Sequence, residues 1–355
     1  MSVGKAGAVT VSLTLDGTNV KEEHIISFTV DRDIYQPDMA MIVVNNQDHR
    51  YSKLKVSGVV ELKVTENQTT IFKGEIVGME PSYTGGQTQR ILIRAMSRMH
   101  KLTRIKKSRT FTDKTDQQIL TQVVHDAGLT LDWKHEKSIT YKHVYQHNQS
   151  SMEFLRTRAA RMGCHIWCTG TTVHVKQPDL QSDSGIELKV SQDVGDGQQL
   201  RAFHPKVSSA PINKKVTVKG WNPETKELIT GEYSDTSTSL GSQHATAASG
   251  DHGTEDTFTV DQPIWSKEEA DALAKAKFVD QSLNFMTGEG EAIGDPSFEL
   301  ATVVKFTINP SDSADNFNGK YYVMGLTHRY NAGGKDRNGG YVTHLRVARD
   351  AMGGE

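Results

Sequence analysis

The sequence predicts a mainly β fold with an α+β insert: two similar β-barrels in one chain, plus a small α+β domain. Three observations predict it. A strand pattern opening on F-x-G is written twice, from Phe72 and again from Phe317. Apolar and polar residues alternate along much of both ends, which marks strands with one buried face. Two capped helices with helical apolar spacing stand between them.

The first copy reads Phe72-Lys73-Gly74-Glu75-Ile76-Val77-Gly78-Met79, and the second Phe317-Asn318-Gly319-Lys320-Tyr321-Tyr322-Val323-Met324-Gly325. A strand precedes each, over 59–64 and 301–306. Each then continues into a polar turn with paired glycines (Gly85-Gly86; Gly333-Gly334 and Gly339-Gly340) and an alternating strand, Arg90 to Ala95 or Tyr341 to Val347. Glycines supply the positive φ that such turns need. Phe72, Gly74, Phe317 and Gly319 are thus the structural signature of a duplicated β-meander.

Residues 1–105 form the first barrel. Val9, Val11, Leu13 and Leu15 alternate with polar partners, and Asp16-Gly17 signals a hairpin. Strands over 25–30 and 39–44 flank a loop holding Pro37. Half a dozen strands with short turns suggest a closed or nearly closed barrel, which leaves few free edges.

Residues 106–178 form the α+β domain. Thr115-Asp116-Gln117-Gln118 and Ser150-Ser151-Met152-Glu153 are capping boxes, where hydroxyl and carboxyl or amide satisfy the first helical amides. Ile119, Leu120, Val123 and Val124 follow the first at helical spacing, and Phe154, Leu155, Ala159 and Met162 the second. Gly128 and Gly163 end them.

Residues 179–355 form the second barrel, with a strand over 215–221. It is interrupted by a stretch rich in Ser, Thr, Gly, Ala and His (about 234–256), expected as a mobile loop, and by a helix (about 266–283). The small residues of that helix suit close packing on a sheet.

The chain has 355 residues, too many for one core. With 41 basic and 43 acidic residues its net charge is −2, so no global field draws it to nucleic acid. No apolar run of about 18 residues spans a membrane. Two cysteines build no disulfide framework, and residues 1–5 lack a signal's apolar core, so a soluble chain in a reducing compartment is expected.

Cys164, Cys168 and His174 invite a metal reading, but zinc wants four ligands, and alternation sends His165 to the opposite face from the cysteines. Buried structural cysteines are the better reading. The basic run Lys101, Arg104, Lys106, Lys107 and Arg109 lacks interleaved aromatics for base stacking and reads as a solvated or salt-bridging face. Nucleophile elbows, Walker loops and dinucleotide fingerprints are missing from the sequence. No catalytic residue, cofactor or metal is assigned.

Read in order, these pieces resemble phage late control protein D, the baseplate hub of contractile tails. They are also similar to the N-terminal hub half of VgrG-type spike proteins. The resemblance rests first on the 145–163 segment, where Gln146, Ser150, Phe154, Leu155, Ala159 and Gly163 match and Gln149 and Ser151 replace the more usual acids. Arg109-Thr110-Phe111 with Asp113, Thr115 and Ala127-Gly128-Leu129 is the second match, and Gly319-x-Tyr321-x-Val323 with His328 and Thr343-x-Leu345 the third.

The resemblance implies a homotrimer of paired tube domains, a pseudo-sixfold ring between a hexameric tail tube and a threefold spike. Spike protein, tail tube protein, other baseplate subunits, and tape-measure protein or cargo are its implied partners. Its place would be the baseplate of a virion or injection particle assembled in the bacterial cytoplasm. The chain stops after the second barrel, so the spike is expected as a separate protein. Two rival readings stay open on the residues: a peptidoglycan hydrolase with wall-binding β-domains, which needs a carboxylate pair in one cleft, and a metal protein using Cys164, Cys168 and His174.

Overall fold

The computed structural model describes residues 9–64, 69–85, 89–190, 199–238, 240–260, 263–333 and 340–354. Gly86, Gly334 and Gly339 of the expected turns, and residues 1–5, lie outside them.

In chain order the first region holds β1 (Val11–Leu15), β2 (Thr18–Val20), β3 (Ile25–Asp33), β4 (Met39–Asn45), β5 (Val59–Val64), β6 (Thr69–Ser82) and β7 (Arg90–Met96). Next come α1 (Lys101–Arg104), β8 (Lys106–Thr115), α2 (Asp116–His125), β9 (Thr130–Lys134), β10 (Thr140–Ser150), α3 (Ser151–Arg161), β11 (His165–Thr169) and β12 (Thr172–Lys176). The last region holds β13 (Asp183–Val190), β14 (Gln199–Val207), β15 (Asn213–Asn222), β16 (Glu227–Tyr233), β17 (Gln243–His244), α4 (Ala245–Ala248), β18 (Thr254–Thr259) and α5 (Lys267–Leu283). It ends with β19 (Met286–Ile293), β20 (Val303–Thr307), β21 (Gly319–Asn331), β22 (Gly340–Arg349) and β23 (Ala351–Met352).

Mainly β architecture with a closed barrel is the result. One 13-stranded sheet runs through both ends of the chain, in the order β2-β1-β5-β6-β7-β4-β3-β21-β20-β13-β14-β19-β22. A further β21–β22 pairing closes β21-β20-β13-β14-β19-β22 into a six-stranded barrel. The order β1-β5-β6-β7-β4-β3 matches β13-β20-β21-β22-β19-β14 strand for strand, and the chain visits both sets in the same sequence. Two differences separate them. β13 runs parallel to β20, whereas β1 runs antiparallel to β5. Among the described residues β3 does not return to β1, and instead gives its edge to β21.

The first unit, expected as a closed or nearly closed barrel, thus stays open between β1 and β3 among the described residues. Alternating inward residues fill each unit, as period-two strands require. Leu13, Val30, Ile42, Leu62, Phe72 and Ile93 are core residues of the first; Leu200, Phe306, Tyr321, Val323, Leu345 and Val347 are core residues of the second. Between them α2 and α3 cover a separate core with β8 to β12, holding Ile119, Leu120, Phe154, Leu155, Cys164 and Cys168.

Two sequence expectations are corrected. The strand over 215–221 lies in β15, which pairs with β16 and β18 outside the barrel and packs against α5 around Val216, Val218 and Ala270. The stretch 234–256, expected as a loop, holds β17, α4 and the start of β18, with Leu240, Ala245, Thr246 and Ser249 buried. Gly241 packs where a Cβ would stand 2.5 Å from Arg349 Nη2, and β17 pairs with β23 at Gln243 and His244, so neighbours order a segment whose own composition is poor in apolar bulk.

Candidate functional site

The two six-stranded units share an edge, where β21 meets β3, and this joint is the candidate site. β21 is long. Its first residues pair with β20, and from Gly325 onward the same edge pairs antiparallel with β3, Gly325 opposite Asp33 and Asn331 opposite Ser27. Across this ladder Thr327 Oγ1 donates to Asp31 (2.8 Å) and Arg346 donates to Asp33 (2.7 Å). Tyr330 stacks on Phe28, with centroids 5.1 Å apart and planes 14° from parallel. Offset aromatic pairs of this kind contribute beyond their buried area.

Buried polar groups surround the joint. His328 is fully buried between Tyr341 Oη (2.8 Å) and Thr343 Oγ1 (3.2 Å). Burial holds its imidazole down, to about 3, so it is neutral. Burial pushes the Asp38 carboxyl up to about 7, against the opposing pull of Arg32 at 3.6 Å. Asp33 is likewise raised by burial, with Arg346 opposing. A groove of about 720 Å³ runs over the joint, lined among others by Asp31, Asp33, Glu289, Glu291, Arg329 and Arg346.

The pairings also fix how the two units correspond. In both meanders one extra residue bulges just before a glycine: Gly78 then faces Arg94, and Gly325 faces Arg346. Ile76 N–H donates to Gly58 and Val323 N–H to Thr302, at 2.8 and 2.9 Å. The residues before those acceptors, Ser57 and Ala301, both adopt left-handed backbone (φ 76° and 61°), which non-glycine residues rarely do. On this register Phe72, opposite Leu62, corresponds to Gly319, opposite Phe306. The two F-x-G motifs are therefore displaced by two residues, a shift that keeps the same faces inward and so preserves the apparent match.

Each signature residue has its own local role. Phe72 is buried, and a Cβ on Gly74 would lie 2.3 Å from the Met96 carbonyl oxygen. Phe317 packs partly buried against the second core, and its carbonyl accepts from Tyr321 Oη (2.8 Å). Gly319 has φ +127°. In the α+β unit, buried Gln146 accepts from Arg109 Nε (2.8 Å) and donates to the Gln149 carbonyl (3.0 Å). Ser150 and Glu153 form a reciprocal capping box. Phe154 stacks on Phe111, Leu155 is fully buried, and Gly163 (φ +63°) lies 3.0 Å from Ala276 where its Cβ would stand. The structure gathers these residues around α3, apart from the joint.

Cys164 and Cys168 are buried free thiols, both pushed up to about 12 by burial. His174 hydrogen-bonds Asp132 (2.7 Å), and His165 turns to Tyr322 (2.9 Å), tying the α+β unit to the second barrel. In the basic run, Lys101 pairs with Glu75 (2.9 Å), and Lys107 and Arg109 pair with Asp126 (3.4 and 2.5 Å). Sequence reasoning missed Phe28, Asp33, Tyr330 and Arg346. The one available signal was the recurrent glycine and arginine, Gly78 with Arg94 and Gly325 with Arg346.

This fold, two six-stranded β units sharing an edge with an α+β unit between, is that of phage tail proteins. It matches a tail protein from Neisseria meningitidis MC58 (TM-score 0.71, 14% identity, 96% of each chain). It matches equally the 43 kDa tail protein of prophage MuSo2 from Shewanella oneidensis (0.71, 12%, 97% of this chain and 100% of that one). The E. coli c3393 protein, a component of the type VI secretion system described as similar to T4 tail proteins gp27 and gp5, matches at 0.63 (11%, 95% and 76%). By sequence the chain belongs to the Alg8 N-terminal domain family, whose profile matches residues 5–332. No curated protein matches it by sequence.

Proposed function

We propose that this chain is a structural hub subunit of a contractile phage tail or tail-like injection particle, of the late control protein D kind. Three copies form a ring that adapts a sixfold tail tube to a threefold spike. One observation carries this reading: the chain builds the same six-strand order twice and joins the two units edge to edge. A chain carrying two equivalent units turns three copies into six positions, which is what mating two symmetries requires. The tail-protein fold supports the setting. The role is assembly rather than catalysis, with spike, tube and other baseplate proteins as partners, tape-measure protein or cargo in the channel, and the baseplate as its place.

Sedimentation velocity and native mass spectrometry test the reading. Three chains per particle, and a ring that captures spike and tube proteins, is the expected outcome. A monomer at about 100 μM without affinity for either, or release of soluble fragments from purified peptidoglycan, overturns it.

A further inference from the structure

One strand of the α+β unit has an edge that opens into a pocket. Among the described residues β10 pairs with β8 alone, so its other edge is bare. A pocket of about 250 Å³ runs along β10. The strand gives it the buried Tyr141 and Val144 together with the exposed His143 and Tyr145. Residues from both faces of the strand line it, so it follows the edge rather than one face. Phe154 and Arg158 of α3 and Trp265, just before α5, complete it. We propose that this edge receives an extended, uncharged segment of a partner polypeptide. The segment adds to β10 as a strand and sets an apolar side chain among Tyr141, Phe154 and Trp265. The inference does not rest on the ring reading.

A buried donor points to the kind of occupant. Arg158 is 4% exposed and lines the pocket. Its Nε donates to Asp116 Oδ1 (2.6 Å), and Nη2 crowds the same oxygen without a hydrogen bond of its own. A buried donor in that state is costly, and an acceptor brought into the pocket relieves it. The charges there are already matched, Arg158 by Asp116 and Arg161 by Glu269 (2.6 Å). A carboxylate would bury one charge too many, so the acceptor is a neutral carbonyl. An extended polypeptide carries such carbonyls at strand spacing, and a bare strand edge is where it docks.

The surroundings keep the site ready. Trp265 is fixed in advance: its N–H donates to Glu269 (2.9 Å), and its carbonyl accepts from Asn222 Nδ2 (3.1 Å). A wall already in place lowers the ordering cost of binding. Lys142, the kind of charge that shields a bare edge, is drawn aside to Glu224 (2.6 Å), in the turn between β15 and β16.

A peptide of alternating Thr and Val with one central Phe, fluorescein at its N-terminus and an amide at its C-terminus, tests the site. Fluorescence anisotropy on the full chain should show saturable binding with a Kd below about 1 mM. Replacing the central Phe by Asp should weaken it at least about tenfold. Thr157 is exposed on α3 and lines the pocket, so Thr157→Trp fills it. That variant should keep its urea midpoint and bind at least about tenfold more weakly. Pro263→Trp, at another exposed position of the lining, should do the same and guards against a misfolded first variant. An absence of saturation by about 1 mM, binding that both variants leave intact, or tighter binding of the Asp peptide overturns the proposal. So does a drop in the oligomeric mass of Thr157→Trp, because a second copy of this chain would then be the occupant.

Discussion

The guanidinium of Arg349 occupies the space beside Gly319 where any side chain on that residue would stand: a Cβ there would lie 2.5 Å from Arg349 Nη2. Arg349 is fully buried and donates to the carbonyls of Leu240 (2.9 Å), Asn318 (2.9 Å), Asn316 (3.2 Å) and Gly353 (2.5 Å). It thereby ties the end of β22 to Leu240, to the 316–318 segment and to Gly353. Gly319→Ala meets both the clash and a backbone φ of +127° that L residues avoid, so it should cost about 3 kcal/mol. Arg349→Met keeps the bulk and strands the carbonyls, at about 1–3 kcal/mol. Urea unfolding midpoints of the two variants check this, and an unchanged midpoint in Gly319→Ala would refute the packing argument.

The α+β unit hangs on a buried ion pair. Arg158 Nη2 lies 2.5 Å from Asp116 Oδ1, and its guanidinium lies over the Tyr141 ring at 4.4 Å. Asp116 is the first residue of α2 and Arg158 lies on α3, so the pair fixes one helix against the other. Asp116→Asn leaves a buried cation with half its partner and should cost about 3 kcal/mol. Asp116→Leu with Arg158→Met removes both charges and should cost less than either change alone. A double-mutant cycle by chemical denaturation reads this out, and simple additivity would show the pair uncoupled.

What could be read beforehand was whatever is encoded locally. Both capping boxes place their oxygens and amides within a single turn, so Thr115 with Gln118 and Ser150 with Glu153 announce helix starts without any tertiary knowledge. Strand alternation works in the same way. The joint was invisible because its members lie far apart in sequence: Arg346 meets Asp33, and Tyr330 meets Phe28, only after both units have formed. The F-x-G displacement has a related cause. Period-two patterns are blind to a two-residue slip, and only the bulges before Gly78 and Gly325 fix the register. The 234–256 stretch misled because its burial comes from neighbours, β23 and α5, rather than from its own apolar content.

Asp38 and His328 give stability opposite dependences on pH. The folded Asp38 carboxyl titrates near 7 because it is buried, above its unfolded value of about 4. The native state then holds a proton the unfolded chain has lost, so this contribution falls as pH rises from about 4 to 7. His328, held down to about 3 by burial, stays neutral where the unfolded imidazole protonates, so its contribution falls as pH drops below about 6.5. His165, lowered to about 4, acts in the same direction as His328. Asp38→Asn should therefore stabilise the protein more at pH 8 than at pH 5 and sharpen its loss of stability on acidification. Each group contributes at most about 1.4 kcal/mol per pH unit. Urea midpoints from pH 4.5 to 8 decide it; an equal effect of Asp38→Asn at both ends would mean the carboxyl is ionised throughout.

The stack of Tyr330 on Phe28 should couple the two units measurably. Phe28 belongs to the first unit's core while Tyr330 arrives from β21, so the pair spans the seam that β3 leaves open. Truncating Phe28 empties a core position and should cost about 3–5 kcal/mol. Tyr330, only partly buried, should cost less. The informative quantity is their coupling, about 1 kcal/mol from a double-mutant cycle, because offset rings contribute that much beyond area. Tyr330→Ala should also raise amide exchange in β3 while leaving β7, paired with β4 and β6, protected. Uniform acceleration across β3, β4 and β7 would mean the first unit unfolds as one body and that the seam contributes no separate stability.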